Sequence, residues 1–130
     1  MVWEIKISSS LKTQSIDITH NLNNLIKEKD IKDGVICIFV PHTTAGIVIN
    51  EHADPSVQED ILSHLKKLVP RSSEYKHLEG NADAHIKASI VNTSTLVLVS
   101  TGKLLLGTWQ GILFLEFDGP RSRKIWVKVL

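Results

Sequence analysis

Cysteine occurs once in this chain, at position 37, so no disulfide can form within one molecule. Its neighbours in VICIFV are apolar, and the thiol reads as a small buried hydrophobe rather than a reactive group. A surplus of one charge is also lacking: fifteen Lys plus Arg against fourteen Asp plus Glu leave +1, with no basic run long enough to follow a phosphate backbone. Nucleic acid is therefore not an expected partner. No apolar run approaches the ~20 residues that cross a bilayer. The opening MVWEIKISSS lacks the apolar stretch of a signal peptide, so the sequence predicts a soluble, cytoplasmic protein without a membrane partner. The phosphate loop GxxxxGK[ST], GxGxxG, CxxC and the GxSxG elbow are all missing, which removes the assignments that each would carry.

What is present suffices for one domain. The 130 residues are 42% hydrophobic and 22% charged, with no internal repeat or low-complexity tract. Trp3, Ile5 and Ile7 alternate with polar residues as in a strand with one buried face, and a second short strand is expected over 14–18. Thr19 is placed to cap a helix to about residue 29. Residues 35–40 and 96–99 are apolar on both faces and read as interior strands, with cover expected on both sides, part of it from another subunit.

Asp54 followed by Pro55 opens a helix that Pro70 ends, with His64 at the edge of its apolar stripe. A short helix is predicted over 82–91, with His85 on a face of small side chains. Gly119-Pro120 turns a strand over 112–118 into a last strand over 121–130, and a two-residue turn there pairs Asp118 with Arg121 and Glu116 with Arg123. The fold class is α+β: a single domain over 1–130, mainly an antiparallel sheet or sandwich of about seven strands with two or three helices.

Polar groups concentrate in residues 40–55, VPHTTAGIVINEHADP, at the ends of apolar segments, where binding residues usually collect. His42, His77 and His85 together suit a divalent metal, with Glu51 as base. Their separations of 35 and 8 residues match no local metal motif, and turn or cap histidines are the plainer account. Asp54 is explained as a cap and Asp83 by the first turn of its helix, which leaves Glu51 as the carboxylate without a structural task. Arg121 and Arg123 offer forks for phosphate, or salt bridges to Asp118 and Glu116. Trp109 is either a lid for a flat ring or a core anchor.

Taken together, HTTAGIVINEHADPSV, YKHLEGNADAHIKASI and GTWQGILFLEFDGPR, in that order and spacing, resemble the YjbQ family of secondary thiamine-phosphate synthases over nearly the whole chain. The resemblance implies a compact α+β fold, usually a homotrimer, acting on a phosphorylated small molecule. Hydroxymethylpyrimidine diphosphate and thiazole phosphate would be joined with release of pyrophosphate. It implies catalytic roles for His42, Thr43, Glu51 and Lys87, substrate contacts from Asn50, Trp109, Gln110 and Arg121, and a Zn²⁺ or Mg²⁺ ion on His42, His77 and His85. A metal-dependent hydrolase and a non-catalytic metabolite-binding oligomer are the competing expectations.

Overall fold

Alternation of apolar residues sorts the strands of this chain into two facing sheets. The computed structural model describes residues 1–130. In chain order the elements are β1 (Trp3–Ser8), β2 (Gln14–Asp17), α1 (Thr19–Glu28), β3 (Gly34–Phe39), β4 (Ala45–Glu51) and α2 (Pro55–Leu68). There follow α3 (Ala82–Ile90), β5 (Ser94–Ser100), β6 (Lys103–Leu104), β7 (Gln110–Glu116) and β8 (Ser122–Val129). One sheet has the order β1-β8-β3-β5-β6 and the other β2-β7-β4, and every pairing is antiparallel. The α+β expectation holds, with the two-residue β6 raising the strand number to eight.

The main core lies between the sheets. Ile36 and Ile38 of β3 and Ile125 and Val127 of β8 face Ile47 of β4 and Ile112 and Phe114 of β7, while Leu22 and Ile26 of α1 join the same cluster. Each such side chain contributes about 1.5–3 kcal/mol by leaving water. A second cluster covers the other face of β7, where Leu113 and Leu115 pack with Phe117, Leu65 of α2, and Ala84 and Ala88 of α3. The strand buried on both faces is therefore β7.

Within one protomer, residues 35–40 and 96–99 are covered on one face only. Ile36, Ile38, Val97 and Val99 are buried, but Phe39, Leu96 and Leu98 are 41, 59 and 54% exposed, and Cys37 is half-buried. Nothing within the chain covers that outer sheet face, where Phe39 stacks on Trp126. His64 is also exposed, since α2 buries only Leu65.

Two local expectations resolve differently. Asp54 caps α2 as expected, its Oδ1 accepting from Ser56 N–H at 2.9 Å. Thr19 does not cap α1; it is the first helical residue, and its N–H and hydroxyl both donate to Asp17 Oδ1. The Gly119-Pro120 segment makes no two-residue hairpin, because β7 and β8 belong to different sheets and the chain crosses the sandwich mouth between them. No helix is long and apolar enough to cross a membrane.

Candidate functional site

The chain crosses between sheets three times at the mouth of the sandwich, from β1 to β2, from β3 to β4 and from β7 to β8, and the last two crossings build the site. After β3 the Val40 N–H donates to Thr93 O at 2.7 Å, and Pro41, which has no N–H to extend the ladder, releases the chain into His42-Thr43-Thr44. β4 resumes in the other sheet at Ala45. Gly46 then lies so close to Val91 that an added Cβ would sit 2.3 Å from Val91 Cγ2. This approach seats the end of α3 against the start of β4, and with it His85 beside the turn.

The crossing from β7 to β8 supplies the support. Glu116 continues the inward parity of Ile112 and Phe114, and Arg123 that of Ile125 and Val127, so both side chains enter the space between sheets. Arg123 Nε donates to Glu116 Oε1 at 2.9 Å, and Arg123 Nη2 donates to Glu116 Oε2 and to Thr44 Oγ1. Ser9 Oγ and the Asp118 N–H also donate to Glu116. Burial pushes the Glu116 carboxyl up, but these donors and the Arg123 charge outweigh it and hold the group below its ordinary value. The expected Glu116–Arg123 pairing exists, as a buried clamp between sheets rather than a cross-strand pair.

That clamp holds the polar turn. Thr44 is fixed by Arg123, and His42 Nε2 accepts from the Lys124 N–H at 3.0 Å. Burial, together with the nearby Arg123 charge, lowers the His42 pKa. The neutral imidazole with Nε2 as acceptor carries its proton on Nδ1. Across the mouth, Asp118 accepts from Asn81 Nδ2 at 2.8 Å and Arg121 Nη2 at 2.9 Å, and lies 3.5 Å from Lys12 Nζ. Burial raises the Asp118 carboxyl, but these partners hold it below its ordinary value. Arg121 Nε donates to the Asp118 carbonyl, so two of its five N–H groups are committed.

Between these walls lies an open cleft of about 590 Å³, within the range of small-molecule sites. His42, Thr43, His85, Arg121 and Asp118 give it a polar lining, and Phe39 and Val40 an apolar edge. The His77 ring stands edge-on to His85 at 5.1 Å between centroids, with Glu79 3.8 Å from His77 Nε2. Asn81 also lines the cleft, and its Oδ1 is buried without a partner.

The histidines converge on one region of the protomer but do not form a metal centre there. No three His, Cys, Asp or Glu side chains lie close enough to hold an ion, and His42 presents its Nε2 to a backbone N–H. As placed, the donor set does not fit a three-histidine Zn²⁺ or Mg²⁺ site.

The remaining expected residues stand elsewhere. Asn50 and Glu51 end β4, opposite Gly111 and Gln110 of β7, with Trp109 63% exposed beside them. A seven-residue strand separates Ala45 from Glu51, roughly 20 Å at about 3.3 Å per residue. At that far end His52 Nδ1 meets Asp17 Oδ2 at 2.8 Å, and Gln110 Oε1 accepts from the Gly107 N–H. Lys87 is buried on the opposite side of α3 from His85 and pairs with Asp83 at 3.1 Å. Sequence reasoning missed Phe39 and Asn81 as cleft residues. The signal for Asn81 was its position four residues before His85, on the same helix face.

Comparison with known proteins agrees with this architecture. The family model for UPF0047 protein YjbQ-like matches residues 3–130. The chain is 50% identical to UPF0047 protein MJ1081 of Methanocaldococcus jannaschii, covering 100% of this chain and 94% of that protein. It is 44% identical to UPF0047 protein YugU of Bacillus subtilis, covering 100% and 99%. Among solved structures, an uncharacterized conserved protein of the YjbQ/UPF0047 family from Clostridium acetobutylicum superposes with a TM-score of 0.94 at 51% identity, covering 98% and 99% of the two chains. A YbjQ-like protein of unknown function from Sulfolobus solfataricus superposes with a TM-score of 0.92 at 37% identity, covering 99% and 95%.

Proposed function

We propose, from the premise that this chain belongs to the YjbQ-like UPF0047 family, that it is an enzyme acting on phosphorylated heterocycles, with thiamine-phosphate synthesis as the concrete reaction. The observation that carries this reading is the wall chemistry of the His42 cleft. Arg121, His42, His85 and the Thr43 hydroxyl offer cationic and hydrogen-bonding groups for phosphate, and the partly exposed Phe39 ring offers a flat surface for a heterocycle. In the reaction the thiazole nitrogen attacks the pyrimidine methylene carbon, the carbon–oxygen bond to the diphosphate breaks, and pyrophosphate leaves with the electron pair. The uncommitted N–H groups of Arg121 stabilise the departing charge, and the His42 Nδ1–H and the His85 ring donate to its oxygens. The unpartnered Asn81 Oδ1 suits an amino group on the heterocycle.

The family's homotrimer belongs to the same proposal, supported by the exposed Leu96, Leu98 and Trp126 on the outer sheet face. Asn50, Glu51, Trp109 and Gln110 enter the reaction only where a neighbouring protomer brings its far strand end to the cleft. A metal-dependent hydrolase with Glu51 as base has less support, since Glu51 lies at the other end of β4 from His42. The test is formation of thiamine phosphate by the purified protein with Mg²⁺, Mn²⁺, Zn²⁺ or no added metal. Turnover that Arg121→Ala reduces by about 10²-fold or more is expected, and no product under any of these conditions overturns the proposal. Mixing His85→Ala with Glu51→Gln protomers restores activity if the two ends meet between subunits.

A further inference from the structure

α3 presents two working faces. Asn81 and His85 look onto the cleft described above, whereas Asp83 and Lys87, each two residues further on and so rotated by about 200°, line a separate cleft. This second cleft measures about 360 Å³ and is completed by Lys12, Thr13, Lys66 and Arg71. Four of its six side chains are cationic and one is acidic. Lys12 is 3.5 Å from Asp118 and Lys87 is 3.1 Å from Asp83, but Lys66 and Arg71 make no ion pair.

Helix dipole and local pairing explain only some of these groups. Lys66, in the last turn of α2, complements the helix dipole, and Asp83 with Lys87 forms an i,i+4 pair. Neither explains Arg71, whose guanidinium is turned back toward Gly80 with no acidic partner. Nor do they explain the acid itself. Asp83 and Lys87 are each only 4% exposed, and Asp83 Oδ1 is buried without any hydrogen-bond donor. A buried carboxylate oxygen left unpaired is costly. Lys87, for its part, uses one of its three N–H donors on Asp83 Oδ2. The cleft thus offers several cationic donors and one desolvated acceptor.

We propose that this cleft binds a phosphate group that carries a proton. The anionic oxygens take Lys66, Arg71 and the free donors of Lys87, and the P–OH donates to Asp83 Oδ1. Phosphate satisfies both requirements at neutral pH. Sulfate, which is fully deprotonated there, satisfies the cations but turns a lone pair toward a carboxylate. Asp83 is therefore the group that sets specificity for phosphate over sulfate. The site lies on the opposite face of α3 from His85, and its occupancy is independent of the reaction proposed above.

The test is calorimetric titration of the full chain in its native assembly, at neutral pH and matched ionic strength, with inorganic phosphate, sulfate and glycerol 3-phosphate in separate arms. Saturable phosphate binding at least about tenfold tighter than sulfate is expected from one hydrogen bond gained against one acceptor left unpaired. The glycerol 3-phosphate arm tests the proton requirement: a phosphomonoester, with a second pKa of about 6, mostly lacks a P–OH at neutral pH, so weaker binding than inorganic phosphate is expected and tighter binding overturns the role given to Asp83. Arg71→Ala, an exposed substitution, weakens phosphate by about tenfold through the loss of a charge-assisted hydrogen bond, while Asp83→Asn brings phosphate and sulfate close to parity. If Asp83→Asn fails to fold, Arg71→Ala and Lys66→Ala carry the test. Equal binding of phosphate and sulfate by the unaltered protein, no saturable binding at millimolar phosphate, or unchanged affinity in Arg71→Ala overturns the proposal.

Discussion

Replacing Arg123 by methionine removes the counter-charge from Glu116, which is 0% exposed at the sandwich mouth. Glu116 keeps its donors from Ser9 Oγ and the Asp118 N–H, but its buried charge is left uncompensated. Breaking a buried ion pair from one side costs about 3–5 kcal/mol, a large part of the roughly 5–15 kcal/mol that holds a domain folded. Thr44 loses its bond from Arg123 at the same time, so the His42 turn loosens. Urea unfolding followed by tryptophan fluorescence, at fixed protomer concentration, measures the loss. The double variant Glu116→Gln/Arg123→Met is expected to recover part of it, because neither partner is then a stranded charge. A loss below about 1 kcal/mol for Arg123→Met, the value of an exposed pair, would refute the clamp. The pH dependence has a defined sign. Glu116 is depressed below its ordinary 4.5, so its stabilisation is complete above that value and is lost as pH falls through the lower folded value.

Three further expectations test other parts of the account. The His42 pKa lies below its ordinary 6.5, so the fold prefers the neutral ring and loses stability as pH falls from 6.5 through the folded value; His42→Gln, which can accept from the Lys124 N–H, flattens that segment of a stability–pH curve. Gly111→Ala places a Cβ 2.4 Å from the His52 ring and is expected to cost about 1–3 kcal/mol in thermal unfolding, whereas a change within experimental error contradicts the packing at the far end of β4. Leu98→Glu, on the exposed sheet face, is expected to lower the mass of the proposed trimer to that of the monomer in light scattering, and an unchanged mass contradicts an interface on this face.

The order of elements was legible because alternation in 3–7, the Asp54-Pro55 helix start and the apolar runs are local signals. The separation of β7 and β8 into different sheets was not. Glu116 meets Arg123 by parity alike in a flat hairpin and across a sandwich, so the pairing was predicted correctly with the wrong sheet assignment. The outer face of β3 and β5 was less legible for a related reason: an apolar strand records that its face avoids water, not which molecule covers it. At the site, His42, Thr43, His77 and Arg121 gathered as polar residues between elements, and His85 came from the cleft-facing side of α3. Glu51 lay one seven-residue strand away, a separation that neighbourhood in sequence conceals. Lys87 shows the same point on a helix. Two residues from His85 place it on the opposite face, beside Asp83 rather than in the His42 cleft.

The central claim is that chemistry occurs in the cleft where His42 and His85 meet Arg121. The most direct measurement is the rate of thiamine phosphate formation by His85→Ala set against the unaltered protein, after matched unfolding curves establish that both are folded. A fall of about 10²-fold or more, the usual contribution of a positioned proton donor, is the result predicted. A rate within about threefold of the unaltered protein, well short of that contribution, would contradict it.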